Sequence, residues 1–412
     1  MPEFLELLSP VDALNTLMHE MPEPNIKSEN IAADQALGRI LAAAVTAPES
    51  SPSFPRSTVD GFAVIAADTF GASDSLPAYL TVIAEVPMGS QPKFDLSSRQ
   101  AALIHTGGML PESADAVVMI ENTQVARAGE VEIMRAVASG ENIIKAGEDA
   151  LQGDELLPAG KRLRPQEIGG LFALGCLTVS VTVPPKIGII SSGDEIVTPD
   201  TTPEPGQVRD VNSYSLSALI QQNGGQPIRY GIVADKRELL KEALALSLNE
   251  CDAVVITAGS SASTRDLTAE VIGEIGKPGV LVHGVNVRPG KPTILAVCQG
   301  KAVIGLPGNP VSALIIAGLF VIPVINYLNG MPRNQLHFGI TAHLRVNLAS
   351  QAGREDWIPV RLTQKDREYF AEPIFFKSNL ILSLRHADGL AYIPADVTGF
   401  SAGEMVQVYL YA

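Results

Sequence analysis

With 412 residues, 46% of them hydrophobic, the chain is long enough to bury two to four separate cores. A formal net charge of −15 excludes general affinity for nucleic acid or an anionic membrane, both of which need cationic surface, so any anion site must be local. Cys176, Cys251 and Cys298 lie far apart with no Cys-x-x-Cys pair, which supports neither a disulfide framework nor a structural zinc site. The opening MPEFLELLSP has no basic stretch followed by a long apolar run, so a cytoplasmic location is expected.

Along the chain, VDALNTLMHEM and NIAADQALGRILAAAV carry helical periodicity and end in TAPESSPSFPR, whose Pro and Ser content stops a helix. From Ser57 to about Lys145 short β-type runs alternate with Gly, Pro and Asp turns, and helical character returns at RPQEIGGLFALGC. This pattern predicts a linking domain over residues 1–50 and 146–183 that carries an inserted small β domain at 51–145. Strand and helix then alternate over 184–332, as expected for a three-layer α/β domain with a parallel sheet whose ligands sit beyond the carboxyl ends of the strands. Residues 333–412 are again β-like and read as a small barrel or sandwich. Within the α/β stretch, Val311 to Tyr327 is uncharged. It is too short, and too interrupted by Pro323, for a good membrane span, and is expected to be a buried helix.

Charge is distributed unevenly. No Asp or Glu occurs between Glu274 and Glu355, where simple proportion from 45 acids in 412 residues places about nine. Cations persist there: Lys277, Arg288, Lys291, Lys301, Arg333, Arg345 and Arg354. Burial of the segment excludes acids as well, but does not account for the cations that remain. Two Pro-Gly turns, RPGKPT and LPGNPVSA, bracket the most compact basic corner. Acids instead follow the strands of the α/β stretch, with Asp194 and Glu195 after KIGII, Asp235 after YGIV, and Asp266 after VVITAGSSAS. The small residues Gly259, Ser260 and Ser261 precede a helix N-terminus and suit a phosphate cradle. Asp194 or Asp266 alone reads equally well as a turn residue or helix cap. Together, carboxylates, phosphate cradle and basic turn suggest a Mg²⁺-phosphate site, with Glu195, Asp235 and Asp266 as metal ligands. The Walker spacing fails, because Pro292 stands where a metal-binding hydroxyl is needed, and the six histidines form no zinc-binding pair.

FPRSTVDGFAV (54–64), HTGGMLPESADAVVMIE (105–121), GEDALQGDELLPAG (147–160), SSGDEI (191–196), GQVRDVNSYSL (206–216), RPGKPT (288–293) and LPGNPVSA (306–313) appear in one order. In that order the chain resembles the molybdopterin molybdenumtransferase family, the counterpart of the gephyrin E-domain. The resemblance implies four domains, the last a β-barrel, a homodimer, and insertion of molybdate into adenylated molybdopterin with release of AMP, dependent on Mg²⁺. Carried over by residue, it implies activity-bearing roles for Asp60, Thr106, Asp149, Glu195, Asp235 and Asp266. It implies oxyanion contacts from Arg288, Lys291, Pro292, Ser312 and Ser378, in an active site shared between two chains. A molybdopterin adenylyltransferase and molybdoenzyme maturation proteins are the partners it suggests. For Asp60 the alternative is an Asp-Gly hairpin turn.

Departures from the family pattern stand at Arg288, Ile144, Gly284 and Ala258-Gly259-Ser260, where two cations are lost. They leave open a tungstate-inserting relative. The adenylyltransferase that prepares the substrate and a non-catalytic scaffold are the other readings.

Overall fold

The computed structural model describes residues 7–258, 262–332, 339–375 and 377–411, with the side chains of 262–266 outside that description. The predicted phosphate cradle, Gly259 to Ser261, and the side chain of Asp266 therefore lie outside the described residues.

The six-stranded sheet of the α/β region explains where the functional segments lie. Its order is Gln226–Val233, Lys186–Ser192, Ala253–Ala258, Lys301–Pro307, Ile294–Cys298, Pro278–His283. Period-two alternation sorts its side chains between two cores. Ile187, Ile189, Val255 and Ile304 face Phe320 and Leu17, whereas Ile190, Val254, Ile256 and Val303 face Leu244 and Leu248. The first four strands are parallel; the last two pairings are antiparallel, so Ile294–Cys298 alone runs against the rest, which corrects the expected parallel sheet to a mixed one. The reason is local. Gln299 and Gly300 both have positive φ, 54° and 75°, the geometry of a two-residue hairpin turn, and no crossover fits in that length.

The order change falls between Lys186–Ser192 and Ala253–Ala258, where successive connections leave to opposite sides. That is where an open α/β sheet forms its crevice. Helix Pro10–Glu20 lies in the stretch assigned to linking residues, yet its buried Ala13, Leu17 and Met18 pack into the α/β core. Helix Pro310–Leu328 is apolar and long enough to cross a membrane by composition, and more than half of it is buried inside the protein. It passes through a π turn at Ala317–Val321, just before Pro323, so the missing proline N–H falls where the hydrogen-bond ladder is already offset.

The helical pattern of NIAADQALGRILAAAV does not become an α-helix: Ser28–Ala32 pairs as a strand with Thr178–Thr182, one 3-10 turn follows at Ala33–Gln35, and Val45–Thr46 pairs with Glu155–Leu157. The linking region is mostly β because long-range pairing overrides local periodicity. The β unit between them leaves and returns through reciprocal bonds, Ser51 N–H to Ala150 O at 2.8 Å and Ala150 N–H to Ser51 O at 3.1 Å. Its six-stranded sheet encloses its own core around Phe62, Leu80, Val118 and Ile133. At the other end, Glu355–Lys365 pairs with both Glu368–Pro373 and Gly389–Ile393, and the ladder closes through Gly339–Leu344 and Met405–Leu410 into a barrel.

Helix Pro165–Ala173 in the linking region begins with a capping box. Glu167 accepts from the Arg164 backbone N–H at 2.8 Å and from its guanidinium at 2.5 Å, with Lys161 at 3.6 Å. These bonds, chiefly the guanidinium's, pull the Glu167 carboxyl from 4.5 to about 2. Because the folded value is depressed, its stabilisation is complete above 4.5 and disappears as pH falls through about 2. Urea melts should therefore show the wild type more stable than Glu167→Gln at neutral pH, with the gap narrowing steadily across that acid window.

Candidate active site

The basic corner is built from backbone constraints. Strand Pro278–His283 ends at Gly284, whose φ of 102° is a left-handed conformation unfavourable to side chains, and whose N–H donates to Thr293 O at 2.8 Å. A lysine there would be strained. The Lys291 carbonyl accepts from the N–H of both Val285 and Thr293 at 2.9 Å, and Thr293 Oγ1 donates to Gly290 O at 2.6 Å. Lys291 thus projects, with an exposed side chain, from a turn tied at several points.

A cavity of about 850 Å³ opens in front of this turn, between the α/β region and the barrel. Arg288, Lys291, Pro292, Ser312 and Ser378 all line it, so the oxyanion residues expected from sequence share one space. Ser312 is buried near the start of helix Pro310–Ile316, and Ser378 reaches it from the barrel side. Asn309 Nδ2 donates to Ser378 Oγ at 2.9 Å, and Val311 N–H to Ser378 O at 3.0 Å. No Asp or Glu is among the described residues lining the cavity.

The barrel supplies what sequence reasoning missed. Val287 and Arg288 form a short parallel ladder with Glu355 and Asp356. Asp356 is fully buried; its Oδ1 accepts from Arg354 Nε at 2.9 Å, and Arg288 Nη1 lies 3.8 Å from Oδ2. Arg354 and Trp357 also line the cavity. The available signal was positional: Glu355 and Asp356 are the acids that end the acid-free stretch. Burial pushes the Glu355 carboxyl above its ordinary value.

A second cluster occupies the crevice at the strand ends. Ser192 Oγ donates to Asp235 Oδ1 at 2.6 Å, and the Asp235 N–H to Asp194 Oδ1 at 3.2 Å. Glu195 is exposed on the same loop. Deeper in, Ser191 Oγ and the Ser213 N–H converge on Asp210 Oδ1 at 3.1 and 3.0 Å. Asn212, buried at 6% exposure, donates to Gly308 O at 2.8 Å while its Oδ1 has no hydrogen-bond partner among the described residues. It joins the crevice to the second Pro-Gly turn.

Asp60 and Thr106 meet in the β unit, apart from both clusters. Asp60 Oδ1 accepts from the Thr106 N–H at 2.8 Å and Oγ1 at 3.2 Å, with His105 Nδ1 at 3.7 Å. The backbone bond from Thr106 holds the Asp60 carboxyl below its usual range. The hairpin-turn alternative is not what forms: Gly61 starts a strand that pairs with Gln100–Ile104 and Ala116–Met119. A Cβ on Gly61 would overlap Val118 O. Asp149 is exposed at the crossing strands, its N–H on Ser51 O at 3.0 Å, and joins none of these groups.

Residues 8–175 match the MoeA N-terminal region (domain I and II), 188–327 a probable molybdopterin binding domain, and 341–411 the MoeA C-terminal region (domain IV). The putative molybdopterin biosynthesis protein of Methanocaldococcus jannaschii is 35% identical over 95% of this chain and 94% of its own. The molybdopterin molybdenumtransferase of Nostoc sp. is 33% identical over 96% and 92%. Among solved structures, the molybdopterin biosynthesis moeA protein of Pyrococcus horikoshii OT3 superposes with a TM-score of 0.84 at 32% identity, covering 98% of this chain and all of that one. The chain belongs to the MoeA family of molybdopterin molybdenumtransferases.

Gly290 tests the rigidity of the turn. Its φ is 115°, and a Cβ there would sit 2.2 Å from Ile316 Cγ1 in the helix carrying Ser312. Gly290→Ala should cost at least about 2 kcal/mol from left-handed strain and overpacking, read as a lowered denaturant midpoint.

Proposed function

We propose that this chain is a transferase of molybdenum cofactor biosynthesis, inserting molybdate into adenylated molybdopterin with release of AMP. The observation that carries this reading is the convergence of Arg288, Lys291, Ser312 and Ser378 on one acid-free cavity, in a chain of net charge −15. A tetrahedral dianion needs several convergent donors, and charge-assisted bonds from a fixed turn supply them with little reorganisation. Lys291 and the two cavity arginines bind the oxyanion; Ser312 and Ser378 orient it. The strand-end crevice, with Ser191, Asp210 and Ser213, receives the adenylated pterin, and Asn212 connects it to the cavity.

Among the described residues no three His, Cys, Asp or Glu side chains form a metal cage. Asp194 and Asp235, adjacent through a backbone bond, nevertheless fit Mg²⁺, which takes one or two carboxylates and completes its shell with substrate phosphate and water. Of the ligands expected from sequence, Asp235 would hold it together with Asp194, and the ion would neutralise phosphate charge; Glu195 forms no described three-acid group with them, and the side chain of Asp266 lies outside the described residues. We assign the chain to the cytoplasm on the same reading.

Incubation with adenylated molybdopterin and molybdate should release AMP. ATP-dependent adenylation of the pterin would favour an adenylyltransferase instead, absence of both a scaffold, and a lower KM for tungstate the tungsten-inserting alternative. Lys291→Ala should raise the KM for molybdate roughly 10- to 150-fold, from loss of about 1.5–3 kcal/mol in charge-assisted bonding. The KM for the pterin should change little.

Each site is further read as shared between two copies in a homodimer. Supporting this, Asp60 is pinned by neighbours within its own β unit yet keeps 60% of its side chain open, ready to meet a surface outside that unit. A two-fold dimer would repeat the arrangement, giving two equivalent sites. At molybdate well below the raised KM of Lys291→Ala, where Asp60→Asn and Lys291→Ala chains are each nearly inactive alone, the two should regain about a quarter of wild-type activity when mixed and exchanged. Activity that stays at the level of the separate variants after proven exchange would exclude sharing.

A further inference from the structure

We propose that Asp356 is the positioning residue of the oxyanion cavity: one buried carboxylate behind the wall aims an arginine from each of two domains at the same small dianion. This rests on the reading of the cavity as the molybdate site.

The geometry is asymmetric. Asp356 has no exposed surface, and among the described residues only its Oδ1 is hydrogen-bonded, by Arg354 Nε at 2.9 Å. Oδ2 lies 3.8 Å from Arg288 Nη1, within ion-pair reach but too far for a hydrogen bond. A fully buried carboxylate is costly unless compensated, so both guanidiniums are drawn to it. Their backbones are registered for this, since Arg288 stands opposite Asp356 in the ladder. Both arginines still line the cavity, with side-chain exposures of 62% and 27%. Arg354 uses Nε on the carboxylate and keeps its terminal donors for an anion. Arg288, Lys291 and Arg354 contribute three positive charges and Asp356 one negative, leaving two to match a dianion.

Removing the carboxylate raises the local positive charge, which alone would favour anions. Orientation should outweigh this. Arg354 already neutralises Asp356 at close range, so the charge gained toward the cavity is small, whereas the exposed Arg288 would be free to extend into water.

The chain's single tryptophan, Trp357, lines the cavity beside Asp356, so its fluorescence can report molybdate binding without turnover, with calorimetry alongside. Asp356→Asn should weaken molybdate about tenfold or more, yet by less than roughly twofold when Arg288 and Arg354 are both already glutamine, because the effect passes through the two arginines. The KM for adenylated pterin should be unchanged. Equal losses in both backgrounds, or tighter molybdate binding by Asp356→Asn, would overturn the proposal. If Asp356→Asn does not fold by circular dichroism, Arg288→Gln, Arg354→Gln and their double variant replace it. Two arginines oriented by one carboxylate predict a double loss well below the product of the single losses, and a multiplicative result overturns the assignment. Lys291→Ala separates the two levels. If it leaves the titration unchanged, the cavity is not the molybdate site; if it weakens binding while Asp356 proves additive, only the positioning role fails.

Discussion

The two-residue ladder between Val287–Arg288 and Glu355–Asp356 is the constraint on which the cavity depends. It attaches the end of the α/β unit to the first long strand of the barrel, in a register that buries Asp356 between two arginines. A slip of one residue would move Asp356 out of register with Arg288 and leave that guanidinium without its carboxylate, while Arg354, two residues away in the same segment, would move with it. The loop beside it is fixed the same way, with the Glu355 N–H on Asn286 O at 3.1 Å and Asn286 Nδ2 donating to Gly353 O. Wall and floor of the cavity therefore come from different domains but share one hydrogen-bonded seam.

Around that seam, rigidity and charge are divided between backbone and side chains. The turn from Arg288 to Thr293 is held by backbone bonds and by contact of Gly290 with Ile316, so it has little freedom to adapt. Lys291 stands exposed on that fixed base. The crevice uses another chemistry, with hydroxyls and carboxylates at the ends of parallel strands. Asn212 spans the distance to Gly308, so the two places are neighbours on one sheet edge rather than separate sites. Such an arrangement suits an extended substrate whose phosphate end and metal-binding end need opposite surroundings.

The segments carrying the site were legible in the sequence because their signals are local. Pro-Gly turns and an acid-free stretch follow from chain stiffness and solvation, which act over a few residues. Strand and helix alternation likewise marked the α/β region, and Pro323 with its flanking polar residues marked a core helix. The antiparallel end of the sheet was not read from periodicity, since alternation is the same for either strand direction. The Gln299-Gly300 turn was the only local clue.

What the sequence determined by itself was thus the inventory: which residues are basic, which turns are rigid, and which motifs mark the family. The tertiary structure decided which of them meet. Ser378 reaches Asn309 across 69 positions, Asp356 lies 68 positions from Arg288, and Asp60 is held by Thr106 46 positions away. Such pairings depend on strand register and domain packing, and these are set by burial summed over the whole chain rather than by any local preference. Asp356 shows the difference most directly. In sequence it is one acid beside another; in the fold, burial makes it the anchor of two arginines.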